Sequence, residues 1–398
     1  MADGVTQFGP TFGSWSSHLF DDNGNPAQPG QAILCTKCEG PDDPSAFDVR
    51  KDRGYFAGSH VNEVLAGAMP GVPVRILDVL GDLDDDYMSH IELERSLMSH
   101  QNYRNYTIMM EAELALLQDM GYDIDRRNFF GRSIYGSGLE VVNQQGYFAR
   151  NAAGTAYLDG KANTAARGVG LHIYGSNNRV EQRGDILADG VAAAGIRIDG
   201  AGNTLSIAPG VRVQANGDYG TGLLVAYGDR HNIVQRGSLE ATGKEGIAAR
   251  LDFGNNLLGN ETEYRGSYIW QWAGVDLSQY RAAPLVSNFD ITGSLKGAKA
   301  AIYQSVNALA GAINVMRGAD IQGDIISDYA QWDENNQARL TRLTFGLQPD
   351  AQGRVTEVAD NSFDFTYNGN IRGKDNLALV AEGGKTTLNG DHQVYSVD

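Results

Sequence analysis

The chain has 398 residues and a formal net charge of −17, from 32 Lys and Arg against 49 Asp and Glu. That excess of carboxylates repels phosphate and argues against nucleic acid or an anionic membrane surface as a partner. Gly is abundant (50) and Pro is not (10), which excludes collagen and Pro-rich linkers, while 42% hydrophobic residues suffice for a core.

The first sixty residues read as irregular, with turn signals such as DDNGNP (21–26) and GPDDP (40–44). MADGVTQFGP at the start has neither a basic nor an apolar signal region, so the chain is expected to lack a signal peptide and to be a piece of a longer protein. No stretch reaches the roughly 18 apolar residues of a membrane-spanning helix. Residues 61–80 mix short apolar runs with glycine.

TIMMEAELALLQDMGY (107–122) predicts a helix. Thr107 would cap it, Glu111 and Glu113 would sit in its first turn, and Gly121 would end it. Met110, Leu114 and Leu117 would form its apolar face.

Beyond DIDRRNFFGRS (123–133) the chain repeats itself. GLHIYGSNNRVEQRGDILADG (170–190), GIRIDGAGNTLSIAPGVRVQANG (195–217), GLLVAYGDRHNIVQRGSLEATG (222–243) and GIAARLDFGNNLLGN (246–260) align. Their opening glycines stand 25, 27 and 24 residues apart (195 − 170, 222 − 195, 246 − 222). Looser copies follow at 289–297, 312–328, 363–373 and 377–390. Apolar and polar residues alternate within each copy, and Gly or Asn marks the corners, where a left-handed backbone is needed.

A period near 25 with short strands predicts a mainly β fold, a right-handed parallel β-helix or solenoid, preceded by a smaller α+β or irregular lobe. A propeller blade needs about 40–45 residues, and a leucine-rich repeat needs a leucine grid that is absent. The expected domains are 1–127 and 128–398.

The repeats resemble the passenger domains of bacterial autotransporters. The resemblance lies in GLLVAYGDRHNIVQRG (222–237), AIYQSVNALAGAINVMRGADIQGDIISD (301–328) and DNLALVAEGGKTTLNGDHQVYSVD (375–398), and covers roughly residues 133–398. It implies a protein exported to the cell surface or secreted, with a C-terminal outer-membrane β-barrel as the partner in the parent chain. Host or extracellular proteins or glycans would be further partners, as for an adhesin or virulence factor.

Residues 54–122 resemble the C-terminal lobe of leishmanolysin-like zinc metalloproteases. GYFAGSHVNEVL (54–65), SHIELERSLMS (89–99) and AELALLQDMGYDI (112–124) carry that likeness, and WSSHLFDDNGNP (15–26) resembles sequence just after an HExxH helix. The resemblance implies that His90 is the third zinc ligand and Met98 the methionine of the turn beneath the metal. Ile91 stands where the family has Trp, and the His-to-Met interval of 8 (98 − 90) is short for it. None of the seven histidines is followed by Glu. The chain therefore has no HExxH, is expected to be inactive alone, and would use zinc only in the full-length protein. His60 and His100 are substitutes for His90; a solvated His and a core Met are the plain alternatives.

Cys35 and Cys38, in CTKC, are open to three readings: half a zinc knuckle, a redox pair or a local disulfide. Export would favour the disulfide. DLDDDY (82–87) lacks the pattern of a calcium-binding EF-hand loop and reads as a solvated acidic turn.

Two readings compete with the protease-bearing passenger. One is a structural or adhesive stalk without catalysis. The other is a carbohydrate-active β-helix, which needs two carboxylates about 5–9.5 Å apart and aromatic residues, for which Tyr268, Trp270 and Trp272 are the local candidates. Arg197 and Asp199 share one strand face and read as a surface ion pair.

Overall fold

The computed structural model describes residues 5–7, 13–21, 24–26, 32–35, 54–74, 91–94, 96, 98, 109–146, 148–151, 156–253 and 283–398. They belong to two compact units, residues 1–126 and 127–398. The protein is mainly β, with a large parallel sheet. Among the described residues no helix is long and apolar enough to cross a membrane.

In the first unit, strand Gly54–Phe56 lies between Leu19–Asp21 and Val72–Val74 in an antiparallel sheet. The helix Ser59–Leu65 follows and buries Val61, Val64 and Leu65. It packs against the helix Glu111–Asp119. That second helix starts four residues later than Thr107, which lies outside the described residues. Its first turn is fixed instead by Glu113, whose carboxyl accepts the backbone N–H of Met110. The expected apolar face is corrected too. Leu116 is buried and Leu117 partly exposed, because both sides of the first turns are covered.

The second unit is built from three parallel ladders. One contains Phe130–Ile134, Val169–Ile173, Ala194–Ile198, Thr221–Val225 and Ile247–Leu251, then residues 300–304. Another contains Glu140–Asn143, Arg179–Gln182, Thr204–Ile207, His231–Gln235, Val286–Ile291, Ala310–Val315 and Thr341–Phe345, then residues 377–381. The third contains Ile186–Ala188, Arg212–Ala215 and Ser238–Ala241, then residues 294–297 and 320–322. The chain visits the ladders in rotation, so each strand pairs with the one a full repeat later.

Alternation explains which residues go inside. Leu171, Ile196, Leu223 and Ala249 stand in register and are fully buried. So do Leu205, Ile233, Phe289 and Ile313 in the second ladder, and Ile186, Val213, Leu239 and Leu295 in the third. Each of these side chains larger than Ala249 contributes roughly 1.5–3 kcal/mol by leaving water. One repeat alone would leave both sides of its column open, so the core exists only through stacking.

The opening glycines of the repeats serve close packing. A Cβ on Gly195 would lie 2.6 Å from the Gly222 carbonyl oxygen and from a Val213 methyl. The fourth repeat is displaced by two residues, because Thr221 pairs with Ile247 and Leu223 with Ala249. Ala248, not Gly246, therefore takes the position of Gly222.

Candidate functional site

In the first unit the described chemistry gathers around Glu113. Ser96 donates its hydroxyl hydrogen to the Glu113 carboxyl. The Ser96 oxygen in turn accepts the Met98 backbone N–H at 3.0 Å. Met98 is half-buried in this turn. Burial pushes the Glu113 carboxyl up to about 7, against the opposing pull of its bonds from Ser96 and Met110. Near neutral pH the group thus holds a proton about half of the time, and it pins the turn at 96–98 to the helix. Ser96 and Glu113 are seventeen residues apart, and no sequence spacing announces that contact.

His90 lies outside the described residues, as do His100, Cys38 and the side chain of Cys35. The backbone of Cys35 ends the strand Ala32–Cys35, which pairs antiparallel with Val5–Gln7. His60, the other substitute ligand, has its Nδ1 3.2 Å from an Arg126 guanidinium nitrogen. Arg126 is buried and also reaches Gln118 at 2.8 Å, Glu63 at 2.8 Å and Glu111 at 3.5 Å. A guanidinium only donates, so it occupies the His60 lone pair that a metal would need.

In the second unit, Arg197 and Asp199 are 2% and 0% exposed, not on the surface. The Asp199 carboxylate accepts the Arg197 Nε–H at 2.9 Å and lies 3.1 Å from His172 Nε2. His172 pairs in register with Arg197 one strand on, which brings both to one carboxylate. Tyr135 and Tyr174 meet the His172 ring edge-on, with centroids 6.0 and 5.9 Å away. Two repeats later Arg250 and Asp252 reproduce the pair at 2.7 Å, and the Arg250 guanidinium lies over the Tyr303 ring. The Tyr303 hydroxyl donates to Asp328 at 2.8 Å, and burial pushes its pKa up.

The repeated Arg-x-Asp at 197–199 and 250–252 was readable as a pair, but its burial was not. A sequence cannot show that both faces of a strand are covered. Arg197, Asp199 and His172, and likewise Arg250 and Asp252, are closed on one another and stabilise charge within the fold.

Among the described residues no group of three or more His, Cys, Asp or Glu is placed to hold a metal. DLDDDY, Tyr268, Trp270 and Trp272 lie outside the described residues. No family model, curated relative or solved structure matches the chain.

Proposed function

We propose that residues 128–398 form a right-handed parallel β-helix of the autotransporter-passenger kind, and that its role is structural. It would act as a stiff stalk that spaces attached segments from an outer membrane, with a C-terminal β-barrel as its partner in the parent chain and extracellular proteins or glycans as contacts. The observation that supports this reading is the parallel register itself. Parallel strands from Phe130 to Ala381 add one on another, most of them with buried aliphatic columns, and each repeat depends on its neighbours.

Residues 1–127 are, on the same proposal, the C-terminal lobe of a leishmanolysin-like domain, with His90 as third zinc ligand and Met98 in the turn below. When bound, zinc would polarise a peptide carbonyl and activate water. The described residues do not by themselves make that site, so no catalytic step is assigned to them. Their part is to hold the turn, through Ser96 and Glu113.

The test is display. The chain, fused to a heterologous outer-membrane barrel with a signal peptide, is expressed in a Gram-negative host. Protease added to intact cells is expected to reach it and to leave a resistant fragment beginning near residue 127. Retention in the periplasm, while a proven passenger on the same barrel reaches the surface, would overturn the reading.

A further inference from the structure

One corner of the second unit recurs in three consecutive repeats, as Ser176-Asn177-Asn178, Ala201-Gly202-Asn203 and Asp229-Arg230-His231. The middle residue is left-handed each time, at φ 57°, 64° and 53°. Asn and Gly adopt this backbone readily, whereas Arg does so under strain. The third residue is fully buried each time.

These buried side chains chain the repeats together. Asn178 accepts the Leu139 N–H at 2.8 Å, and Asn203 accepts the Asn178 N–H at 2.8 Å. His231 continues the series by accepting the Asn203 N–H on Nδ1 at 3.2 Å. Its Nε2 lies 2.8 Å from the Tyr227 carbonyl oxygen. A backbone N–H can only donate and a carbonyl can only accept. Nδ1 must therefore be bare and Nε2 must carry the hydrogen. A second proton can enter only at Nδ1, and there it would face the Asn203 N–H donor to donor.

We propose that His231 is a proton-sensitive latch. Protonation at Nδ1 breaks its bond to Asn203 and opens the ladder locally between the corners 199–203 and 227–231. An asparagine at this corner has no such sensitivity, and Arg230 adds the strain of a left-handed backbone here.

The charges around the ring oppose burial without cancelling it. Asp199 and Asp229 favour the charged imidazole, but Asp199 is held by Arg197 at 2.9 Å and by His172 at 3.1 Å, and Asp229 by Arg230 at 3.2 Å. Loss of water dominates and holds the His231 pKa below the ordinary imidazole value. An opened His231 takes its proton near the ordinary value of about 6.5. The latch is thus fully closed above that pH and is lost progressively as pH falls below it.

The experiment is hydrogen exchange of the whole chain at pH 7.5 and 5.5, corrected for intrinsic rates. Peptides covering 199–207 and 227–235 are expected to open about tenfold more at the lower pH, with 186–188 unchanged. His231→Asn should abolish that difference. An equal pH effect in His231→Asn, or none in the unaltered chain, overturns the proposal. Imidazole nitrogen shifts of the unaltered chain give a second reading that needs no variant. They should show a neutral Nε2–H ring at pH 7.5, and an Nδ1–H tautomer or a charged ring there overturns it as well.

Discussion

The carboxylate of Asp119 accepts the backbone N–H of Val61 at 2.9 Å, although one residue ends a helix and the other lies in the first turn of a different one. It also takes the His60 N–H at 3.0 Å and the Ser59 hydroxyl at 3.2 Å. Asp119 therefore caps the helix Ser59–Leu65, whose own N-cap residue is Gly58 and has no side chain for the task. A Cβ at Gly58 would run into Asp119, so the glycine leaves room for the distant cap. Asp119→Ala should lower the stability of the first unit by about 1–2 kcal/mol, and Asp119→Asn by less. Exchange of the amides of 59–65 measures it. Unchanged protection there would show that the cap contributes nothing.

Glu113 gives the first unit a pH dependence of unusual sign for a carboxyl. Its folded pKa of about 7 lies above the ordinary value of 4.5 for a glutamate. The unfolded chain therefore releases its proton first as pH rises. The stability that the neutral carboxyl contributes is full below 4.5 and is lost between there and about 7, by at most roughly 3 kcal/mol. Glu113→Gln should flatten this slope while adding a constant cost, because an amide has one accepting oxygen where the carboxyl uses two, one for the Ser96 hydroxyl and one for the Met110 N–H. Urea unfolding at pH 5 and pH 8 compares the two proteins. The same slope in both would assign the effect to another group.

The parallel repeats were legible because their physics is local. Alternating residues such as Leu205 and Ile207 mark a strand, and the interval between Val169 and its partner Ala194 marks the next turn of the pattern. Legibility failed where a contact joins distant segments. Asp119 at His60 and Ser96 at Glu113 leave no periodic trace. It failed again where a charged pair is covered, since Arg197 and Asp199 read alike on a wet or a dry face. Of the site residues expected from resemblance, Met98 and the substitute ligand His60 have described side chains, and His90 and His100 do not. The role of Met98 is a proposal.

Asp199 is the hinge of a buried charge cluster. Removing it leaves Arg197 and His172 inside the fold without the carboxylate that both now meet. Asp199→Ala should cost about 3–5 kcal/mol, well above the roughly 0–1 kcal/mol of an exposed pair. The urea midpoint of the second unit reads it out. A loss below 1 kcal/mol would mean that the site admits water or that another group compensates.

Ala192 shows the opposite case, a residue whose side chain opposes its own backbone. It sits at φ 54°, in the same left-handed corner as Arg167 one repeat before and Tyr219 and Glu245 one and two repeats after. A Cβ in that conformation costs roughly 1 kcal/mol, which glycine does not incur. Glycine is also freer in the unfolded chain, which takes back part of the gain. Ala192→Gly should therefore stabilise the unit by about 0.5 kcal/mol or leave it unchanged. Ala215→Gly, at a buried position of the strand Arg212–Ala215, should destabilise it by about 1 kcal/mol. Thermal unfolding of the two variants side by side decides the matter. If both lose stability equally, the left-handed corner is not a source of strain and the chain relaxes it by other means.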